Sequence, residues 1–231
     1  MYREEEKRYS IAIAMPVQDA VCAQTAFDLA NMVAWHQRHF MDEITMLVHE
    51  GTMLVSQRLG LVVSARRELA SHILFIDSDM RFPVDALSRL LMAECRVVGC
   101  NCAKRRMPTG PTAANYDSKG RRIPVYTTPE TGGLEQVDSV GTGFLLCEMS
   151  VFDAVPAPWF ETPWSPAHSG FLGEDVAFCC KLAKAGIPVF IDHDLSKEIA
   201  HIGAFEYRHE HVDAVREAEA AHEPAPLVTL R

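Results

Sequence analysis

Two aspartates stand one residue apart at the end of an apolar segment. The run Ile-Leu-Phe-Ile, residues 73–76, leads directly into Asp77, Ser78 and Asp79. In parallel α/β sheets, ligands bind at the carboxyl ends of the strands. Carboxylates that lose solvent there repel each other unless a cation or hydrogen bonds compensate. A divalent cation bridging carboxylate and phosphate oxygens would meet that need. The alternative is that Asp77 caps a turn and Asp79 caps the next helix.

Two more carboxylates open a predicted helix. Glu174 and Asp175 follow Gly173 at the start of a helical pattern over residues 174–185, which Gly186 ends. The helix dipole and the free N–H groups of the first turn favour an ionised carboxylate. Asp175 is therefore either an ordinary N-terminal helix residue or a general base, held deprotonated and aimed at an acceptor hydroxyl.

A histidine follows the last predicted strand. His201 lies in the segment Ile-Ala-His-Ile-Gly, residues 199–203. One interpretation is a core histidine with its hydrogen bonds satisfied. The other is a metal ligand, because imidazole suits transition ions and its pairing with Asp79 would favour Mn²⁺.

Three further groups of charged residues have a composition that suggests binding. The run Lys104-Arg105-Arg106, with Arg121-Arg122 beyond it, is either a solvated loop or a contact to an anionic group on a donor or acceptor. The segments 192–194 (Asp-His-Asp) and 209–211 (His-Glu-His) have no metal-site spacing, and we expect both at the surface.

The elements that must position these residues alternate between strand and helix. Strands are predicted over residues 10–15, 43–49, 72–76 and 96–100, and helices over 20–39, 55–70 and from Pro83 to about 91. This alternation predicts βαβ units and a mostly parallel sheet covered by helices on both faces.

The second half of the chain has a different character. Short strands are predicted at 112–116 and 123–126, an interrupted strand at 137–147, and another strand at 187–191. Residues 156–173 form a proline-rich aromatic segment, typical of a functional lid. A last helix over residues 205–222 leads into a short tail.

Composition narrows the partners and the compartment. The 231 residues include 22 Lys and Arg against 31 Asp and Glu, a formal net charge of −9, which makes nucleic acid an unlikely partner. No apolar run approaches the ~20 residues of a membrane span, and the charged opening, residues 1–8, lacks the pattern of a secretory signal. Seven cysteines without a Cys-x-x-Cys pair indicate reduced thiols, hence a cytoplasmic protein.

The ordered set of motifs resembles the GT-A glycosyltransferases, in particular the family-2-like enzymes that use nucleotide-diphospho-sugars. The resemblance covers residues 10–205 and rests on Asp-x-Asp, Val-Gly-Thr-Gly-Phe (140–144), Pro-Trp-Phe (158–160), Gly-Glu-Asp and the final His. It implies an α/β fold: a single Rossmann-like GT-A domain over 1–205, with a mostly parallel central sheet and a small antiparallel element. A C-terminal helix and tail, 206–231, would follow.

The resemblance also implies a role for each matching residue. The donor would be bound by Pro16, Arg66, Asp77, Ser78, Gly141 and Gly143. The metal would be held by Asp79 and His201, with Asp77 in or near its shell. Asp175 would be the catalytic base and Glu174 would contact hydroxyls of the acceptor or sugar. Apart from the resemblance, Trp159 and Trp164 are candidates for stacking on a sugar acceptor, although core packing is the default interpretation for Trp159. One departure is Arg67, which stands where many relatives have asparagine after the arginine.

The implied activity is a metal-dependent, inverting glycosyltransferase of the hexosyltransferase type, using Mn²⁺ or Mg²⁺ and a nucleotide-diphospho-sugar donor. The acceptor is left open among a saccharide, a lipid-linked sugar, a protein, a small metabolite and a modified base. Three alternatives remain: a haloacid-dehalogenase-like phosphotransferase with Asp77 as nucleophile, a nucleotidyltransferase, and a non-catalytic nucleotide-sugar-binding module.

Overall fold

The computed structural model describes residues 8–166, 169–203, 206 and 208–220. The strands are β1 (Ser10–Val17), β2 (Glu43–Glu50), β3 (His72–Ile76), β4 (Met80–Arg81), β5 (Val97–Gly99), β6 (Ala114–Tyr116), β7 (Arg122–Pro124), β8 (Leu134–Val137), β9 (Phe144–Glu148), β10 (Trp164–Ser165), β11 (Gly170–Phe171), β12 (Val189–Asp192) and β13 (Ala200–His201). The helices are α1 (Ala23–His39), α2 (Leu54–Arg67), α3 (Ala86–Met92), α4 (Val151–Ala154), α5 (Glu174–Lys184), α6 (His193–Ser196) and α7 (His209–Ala220).

Seven strands form the central sheet, in the order β2-β1-β3-β9-β5-β12-β8. Strands β2, β1 and β3 pair in parallel, as do β5 and β12, whereas β9 and β8 run against their neighbours. Because β9 is antiparallel to both β3 and β5, those two strands share one direction. The sheet is thus mostly parallel, and three two-stranded sheets accompany it, so the predicted α/β fold class is confirmed.

Alternate residues of the central strands enter two separate cores. Ile73 and Phe75 pack into one core, with α2 and α5, while Leu74 and Ile76 pack into the other, with α1 and α3. This is the two-sided burial expected of strands whose apolar residues run continuously rather than alternating with polar ones.

The predicted strand over residues 137–147 divides into two strands that are not neighbours. β8 lies at the sheet edge beside β12, and β9 lies in the middle between β3 and β5. Four consecutive β9 residues, Phe144–Cys147, are buried. A strand buried on both faces looks the same in the sequence whether it runs parallel or antiparallel, so the pattern did not reveal the reversal.

Two histidines that the sequence placed at the surface are buried. The His193 ring lies 2.9 Å from Thr127 Oγ1 through Nδ1 and 2.8 Å from Glu135 Oε2 through Nε2. His209, at the start of α7, is 7% exposed, and burial lowers its pKa to about 4. The surface prediction was wrong for these two rings, whereas Asp194 and Glu210 in the same segments are exposed.

Other predictions concern the ends of the chain and its thiols. All seven cysteines are unpaired, as expected. Among the described residues, no helix combines the length and apolarity that crossing a membrane requires. Residues 1–7, part of the predicted helix 205–222 and the tail lie outside the described residues, and the division into 1–205 and 206–231 stays a prediction.

Candidate active site

The Asp-x-Asp segment lies at the carboxyl end of β3, next to the end of β1. The Asp77 amide donates a 2.9 Å hydrogen bond to the Gly143 carbonyl, which continues the pairing of β3 with β9 by one residue. The Ser78 carbonyl accepts a 2.9 Å bond from the Cys22 amide. These backbone bonds hold both aspartates, each half-buried, at the edge of the sheet where ligands bind in this fold class.

A short antiparallel pairing brings His201 to this edge. β13 pairs with β4 so that His201 lies opposite Met80, and the Ile202 amide donates to the Asp79 carbonyl at 2.7 Å. The His201 Nδ1 lies 2.7 Å from the Ala103 carbonyl oxygen. Because a carbonyl only accepts, Nδ1 carries a proton, and in the neutral ring Nε2 then keeps its lone pair. This is the tautomer that a carbonyl fixes in metal-binding histidines.

Asp79 and His201 line one cavity of about 550 Å³. The lining also contains three residues that the resemblance assigned to the donor, namely Pro16, Asp77 and Ser78. The cavity therefore gathers five predicted residues from three separate parts of the chain.

Arg105, which the sequence assigned either to a solvated loop or to an anion contact, lines this cavity. The Arg105 guanidinium pairs with the Asp79 carboxylate. Burial raises the pKa of Asp79, while the nearby His201 and Arg105 lower it. A positive charge already compensates this carboxylate, as the argument from desolvation requires.

The residues fit a divalent cation whose coordination a ligand completes. Among the residues that the structure describes, no three His, Cys, Asp or Glu side chains are grouped as a metal site. Asp79 and His201 nevertheless supply one carboxylate oxygen and one imidazole nitrogen to the same cavity. One or two protein ligands suffice where phosphate oxygens and water complete the shell.

A buried arginine that the sequence analysis missed joins the two pairs of carboxylates. The Arg58 side chain is 3% exposed, and its Nη2 donates to Asp77 Oδ1 at 3.1 Å. Its Nη1 donates to Glu174 Oε1. Arg58 thereby ties the end of β3 to the first turn of α5. The available signal was its helical spacing from Leu61 and Val62, which places a charge on the buried face of α2.

Arg66, which the resemblance assigned to the donor diphosphate, does not reach this site. Its Nη2 pairs with Asp153 Oδ1 at 2.5 Å, and its guanidinium lies 4.8 Å from the centre of the Trp159 ring. The reason is the direction of α2, which starts near the carboxyl end of β2 and returns to the amino end of β3. Arg58 is in its second turn and Arg66 in its last, about 12 Å along the axis. The assignment is corrected accordingly.

Asp175 lies beside this cavity rather than in its lining. Its Oδ1 accepts a 2.7 Å bond from the Val176 amide, and a Cβ on Gly173 would come within 2.5 Å of that oxygen. Burial raises the pKa of Asp175, and the Glu174 charge adds to the rise. Desolvation outweighs the hydrogen bond from Val176 and the Arg58 charge, and the role of Asp175 as a general base stays a prediction.

The two glycines of the Val-Gly-Thr-Gly-Phe segment are both buried. A Cβ on Gly143 would meet Asp77 Oδ2 at 3.0 Å, and one on Gly141 would meet Thr112 Cβ at 3.1 Å. In this structure each glycine permits close packing against a side chain; their approach to a donor sugar stays a prediction.

The two predicted acceptor-side tryptophans occupy different environments. Trp159 is 8% exposed and donates from Nε1 to the carbonyls of Phe152 and Val155, so it belongs to the core, and its acceptor role is corrected. Trp164 is 56% exposed in the β10–β11 hairpin, with its ring 5.3 Å from that of Phe171. The hairpin lies in the segment predicted as a lid, of which residues 167 and 168 are outside the described residues.

Solved structures share this architecture at low sequence identity. A197 from STIV aligns with a TM-score of 0.53 and 14% identity over 84% of this chain and 86% of that one. GalNAc-T7, crystallised with UDP, GalNAc and Mn²⁺, aligns with a TM-score of 0.59 and 11% identity over 93% of this chain. The protein has a GT-A-like fold. No protein-family model and no curated protein matches the chain.

The alignment with GalNAc-T7 includes only part of that longer protein. The aligned region covers 48% of the GalNAc-T7 chain, so this chain spans about half of that protein. Residues 1–349 of TarS from S. aureus align at a TM-score of 0.43, over 79% of this chain and 57% of that one, with 11% identity.

Proposed function

We propose that the protein is a metal-dependent glycosyltransferase that moves a sugar from a nucleotide-diphospho-sugar to an acceptor hydroxyl, with inversion. The observation that carries the proposal is the meeting of Asp79 and His201 in one cavity, made by the pairing of β4 with β13. The GT-A-like fold supports it. So does the presence of UDP, GalNAc and Mn²⁺ in the crystal of GalNAc-T7.

On the donor side, Asp79 and the Nε2 atom of His201 would hold the cation. When bound, the ion acts as a Lewis acid and offsets the charge on the departing diphosphate, an effect of several kcal/mol. Arg105, which pairs with Asp79, would turn its guanidinium to the diphosphate oxygens, with which it forms bidentate hydrogen bonds. Pro16 and Ser78 would line the nucleotide subsite.

On the acceptor side, Asp175 would accept the proton of the attacking hydroxyl. Its raised pKa makes it a stronger base than an exposed carboxylate, and general-base catalysis typically contributes ~10²–10⁴-fold in rate. Glu174 keeps Oε1 on Arg58, which leaves Oε2 to contact a hydroxyl of the sugar or acceptor. The exposed Trp164 offers a stacking surface to a sugar ring.

The arrangement of Asp77 argues against the phosphotransferase alternative. That mechanism requires the first aspartate as a free nucleophile, whereas Asp77 Oδ1 accepts from Arg58 and Oδ2 faces Gly143. Phosphate release from a generic phosphomonoester, abolished by Asp77→Asn, would revive this alternative.

Thermal unfolding with nucleotides tests the donor site. The melting temperature is measured with UDP and with GDP, each with and without Mn²⁺, for the wild type, Asp79→Ala and the control Asp85→Ala. We expect a Mn²⁺-dependent stabilisation by one nucleotide, about 2.7 kcal/mol at a hundred times its Kd. It should persist in Asp85→Ala, whose side chain is 41% exposed outside the cavity, and vanish in Asp79→Ala.

Equal stabilisation of Asp79→Ala and the wild type would contradict the proposed metal site. A screen of sugar release from nucleotide-sugars then separates an enzyme from a binding module, because a module binds the donor and releases no sugar from any of them.

A further inference from the structure

The three charges of the basic run 104–106 have different surroundings. The loop is closed by a bridge between Ala103 and Pro111 and by the Lys104 amide, which donates to the Gly110 carbonyl at 2.8 Å. The Arg106 amide donates to the Lys104 carbonyl at 2.9 Å, which makes a three-residue turn centred on Arg105. Arg105 lines the donor cavity, while Lys104 and Arg106 do not.

Lys104 and Arg106 belong instead to a group with Arg122 and Asp175. Burial lowers the pKa of the half-buried Lys104, the like charges of Arg122 and Arg106 lower it further, and Asp175 opposes them. Burial also lowers the pKa of Arg122, with Arg106 acting in the same direction and Asp175 again opposing. Lys104 and Arg122 therefore lie within electrostatic range of each other, of Arg106 and of Asp175, whereas Arg105 pairs with Asp79.

The positive charges of this group have few partners. Within the described part of the chain, neither the Lys104 ammonium nor the Arg106 guanidinium forms a side-chain hydrogen bond or ion pair. Arg122 Nη2 donates only to backbone carbonyls, those of Pro111 at 2.8 Å and Ala113 at 3.0 Å among them. The neighbouring Arg121, by contrast, pairs with Asp117 at 2.7 Å.

Three cations facing one carboxylate leave a local charge of about +2 in a chain whose net charge is −9. A phosphate group carries about −1.5 to −2 at neutral pH and offers three acceptor oxygens. Such a group would neutralise the cluster and supply the missing hydrogen-bond partners, and lysine and arginine side chains are suited to it.

We propose that the acceptor carries a phosphate group, which Lys104, Arg106 and Arg122 bind beside Asp175. The inference rests on the proposed glycosyltransferase function. The cluster is assigned to the acceptor because Arg105, which lines the donor cavity, already offers a cation to the donor's diphosphate. The phosphate then orients the attacking hydroxyl toward the Asp175 carboxylate.

Inorganic phosphate is the first probe. Its binding is followed by thermal unfolding, in the absence of divalent cations, for the wild type, the double variant Lys104→Gln/Arg106→Gln and the matched control Arg121→Gln. We expect phosphate to stabilise the wild type and Arg121→Gln alike, with binding at least tenfold weaker in the double variant. Absence of stabilisation, or equal stabilisation of all three proteins, would overturn the proposal.

Matched acceptors are the second probe. Sugar monophosphates and a short-chain lipid phosphate are each compared with their dephosphorylated forms, using the donor found in the nucleotide-sugar screen. We expect kcat/KM to favour one phosphorylated form at least tenfold, the preference to disappear in the double variant, and the donor KM to stay unchanged. The preferred form shows whether the phosphate belongs to a soluble sugar or to a lipid.

The two proposals fail separately. If no nucleotide stabilises the protein but phosphate still binds through Lys104 and Arg106, the proposed nucleotide-sugar site is contradicted and the phosphate site remains. If nucleotide and Mn²⁺ bind through Asp79 but phosphorylated and dephosphorylated acceptors react alike, the phosphate assignment falls and the glycosyltransferase remains.

Discussion

Arg58 and Arg66 lie on the same helix, eight positions apart, and meet opposite environments. Arg58, with its side chain 3% exposed, pairs with Asp77 and Glu174 at the carboxyl edge of the sheet. Arg66, with its side chain 40% exposed, pairs at the amino edge with Asp153, which is 73% exposed. A helix that connects two parallel strands runs from the carboxyl end of one strand to the amino end of the next. Its two ends therefore lie in different environments.

The carboxyl edge of the sheet carries the energetically less favourable arrangement of charges. At the carboxyl edge, charges are partly buried, like charges lie close together and the pKa values of Asp79 and Asp175 are raised. At the amino edge the Arg66–Asp153 pair is solvated. Perturbed pKa values in a cleft are typical of functional sites, so loss of function and loss of stability should separate at the carboxyl edge.

Replacing the proposed base should have the largest effect. Asp175→Asn is expected to lower the transfer rate ~10²–10⁴-fold, because the acceptor hydroxyl loses its proton acceptor. Nucleotide binding should be unchanged. The control is Asp153→Asn at the amino edge, which should transfer sugar at the wild-type rate. A full transfer rate in Asp175→Asn would remove Asp175 from the role of base.

The same variant should show a pH-dependent gain in stability. A carboxyl whose pKa is raised by folding contributes most to stability when it is protonated, and this contribution is lost as the pH rises through the folded-state pKa. Asp175→Asn and the wild type should therefore melt alike below pH 3.8, the ordinary value for Asp, and the variant should become relatively more stable above it. A gap that shrinks with rising pH would reverse the sign and contradict the assignment.

Removing the buried arginine should have the next largest effect. Arg58→Met leaves Asp77 and Glu174, 27% and 17% exposed, without their shared cation. We expect a loss of about 3 kcal/mol in the free energy of unfolding and weakened nucleotide binding. Arg66→Met, at the solvated end, should cost less than about 1 kcal/mol. Urea unfolding of both variants provides the test. Similar losses in the free energy of unfolding would contradict the proposed difference between the two edges.

The smallest expected effect concerns packing within the carboxyl edge. In Gly143→Ala the new methyl group meets Asp77 Oδ2 at 3.0 Å and Met80 Sδ at 3.7 Å, whereas in Gly110→Ala it meets open space. Overpacking of this kind costs about 1–3 kcal/mol, and it should also shift Asp77 and weaken Mn²⁺-dependent nucleotide binding. Unfolding and nucleotide titration of the two alanine variants decide the point; identical behaviour would mean that Gly143 has no positioning role.

Much of the first half of the fold follows from local patterns. The strand over residues 72–76 was predicted with its observed bounds, and the strands β1 and β2 and the helices α1 and α2 differ from prediction by a few residues at their ends. The short apolar runs and their punctuation by charge and proline are local signals. The antiparallel direction of β9 has no local signal, because it depends on the strands with which β9 pairs.

The sequence by itself determined the alternation of strands and helices, and it placed Asp77 and Asp79 at the carboxyl end of a buried strand, where chemistry in such sheets takes place. The tertiary structure alone decided which distant residues join them. Pairing of β13 with β4 brought His201 to Asp79, the direction of α2 selected Arg58 over Arg66, and the turn at Arg105 separated it from Lys104 and Arg106. Local propensity acts over a few residues, whereas these contacts depend on the packing of the whole domain.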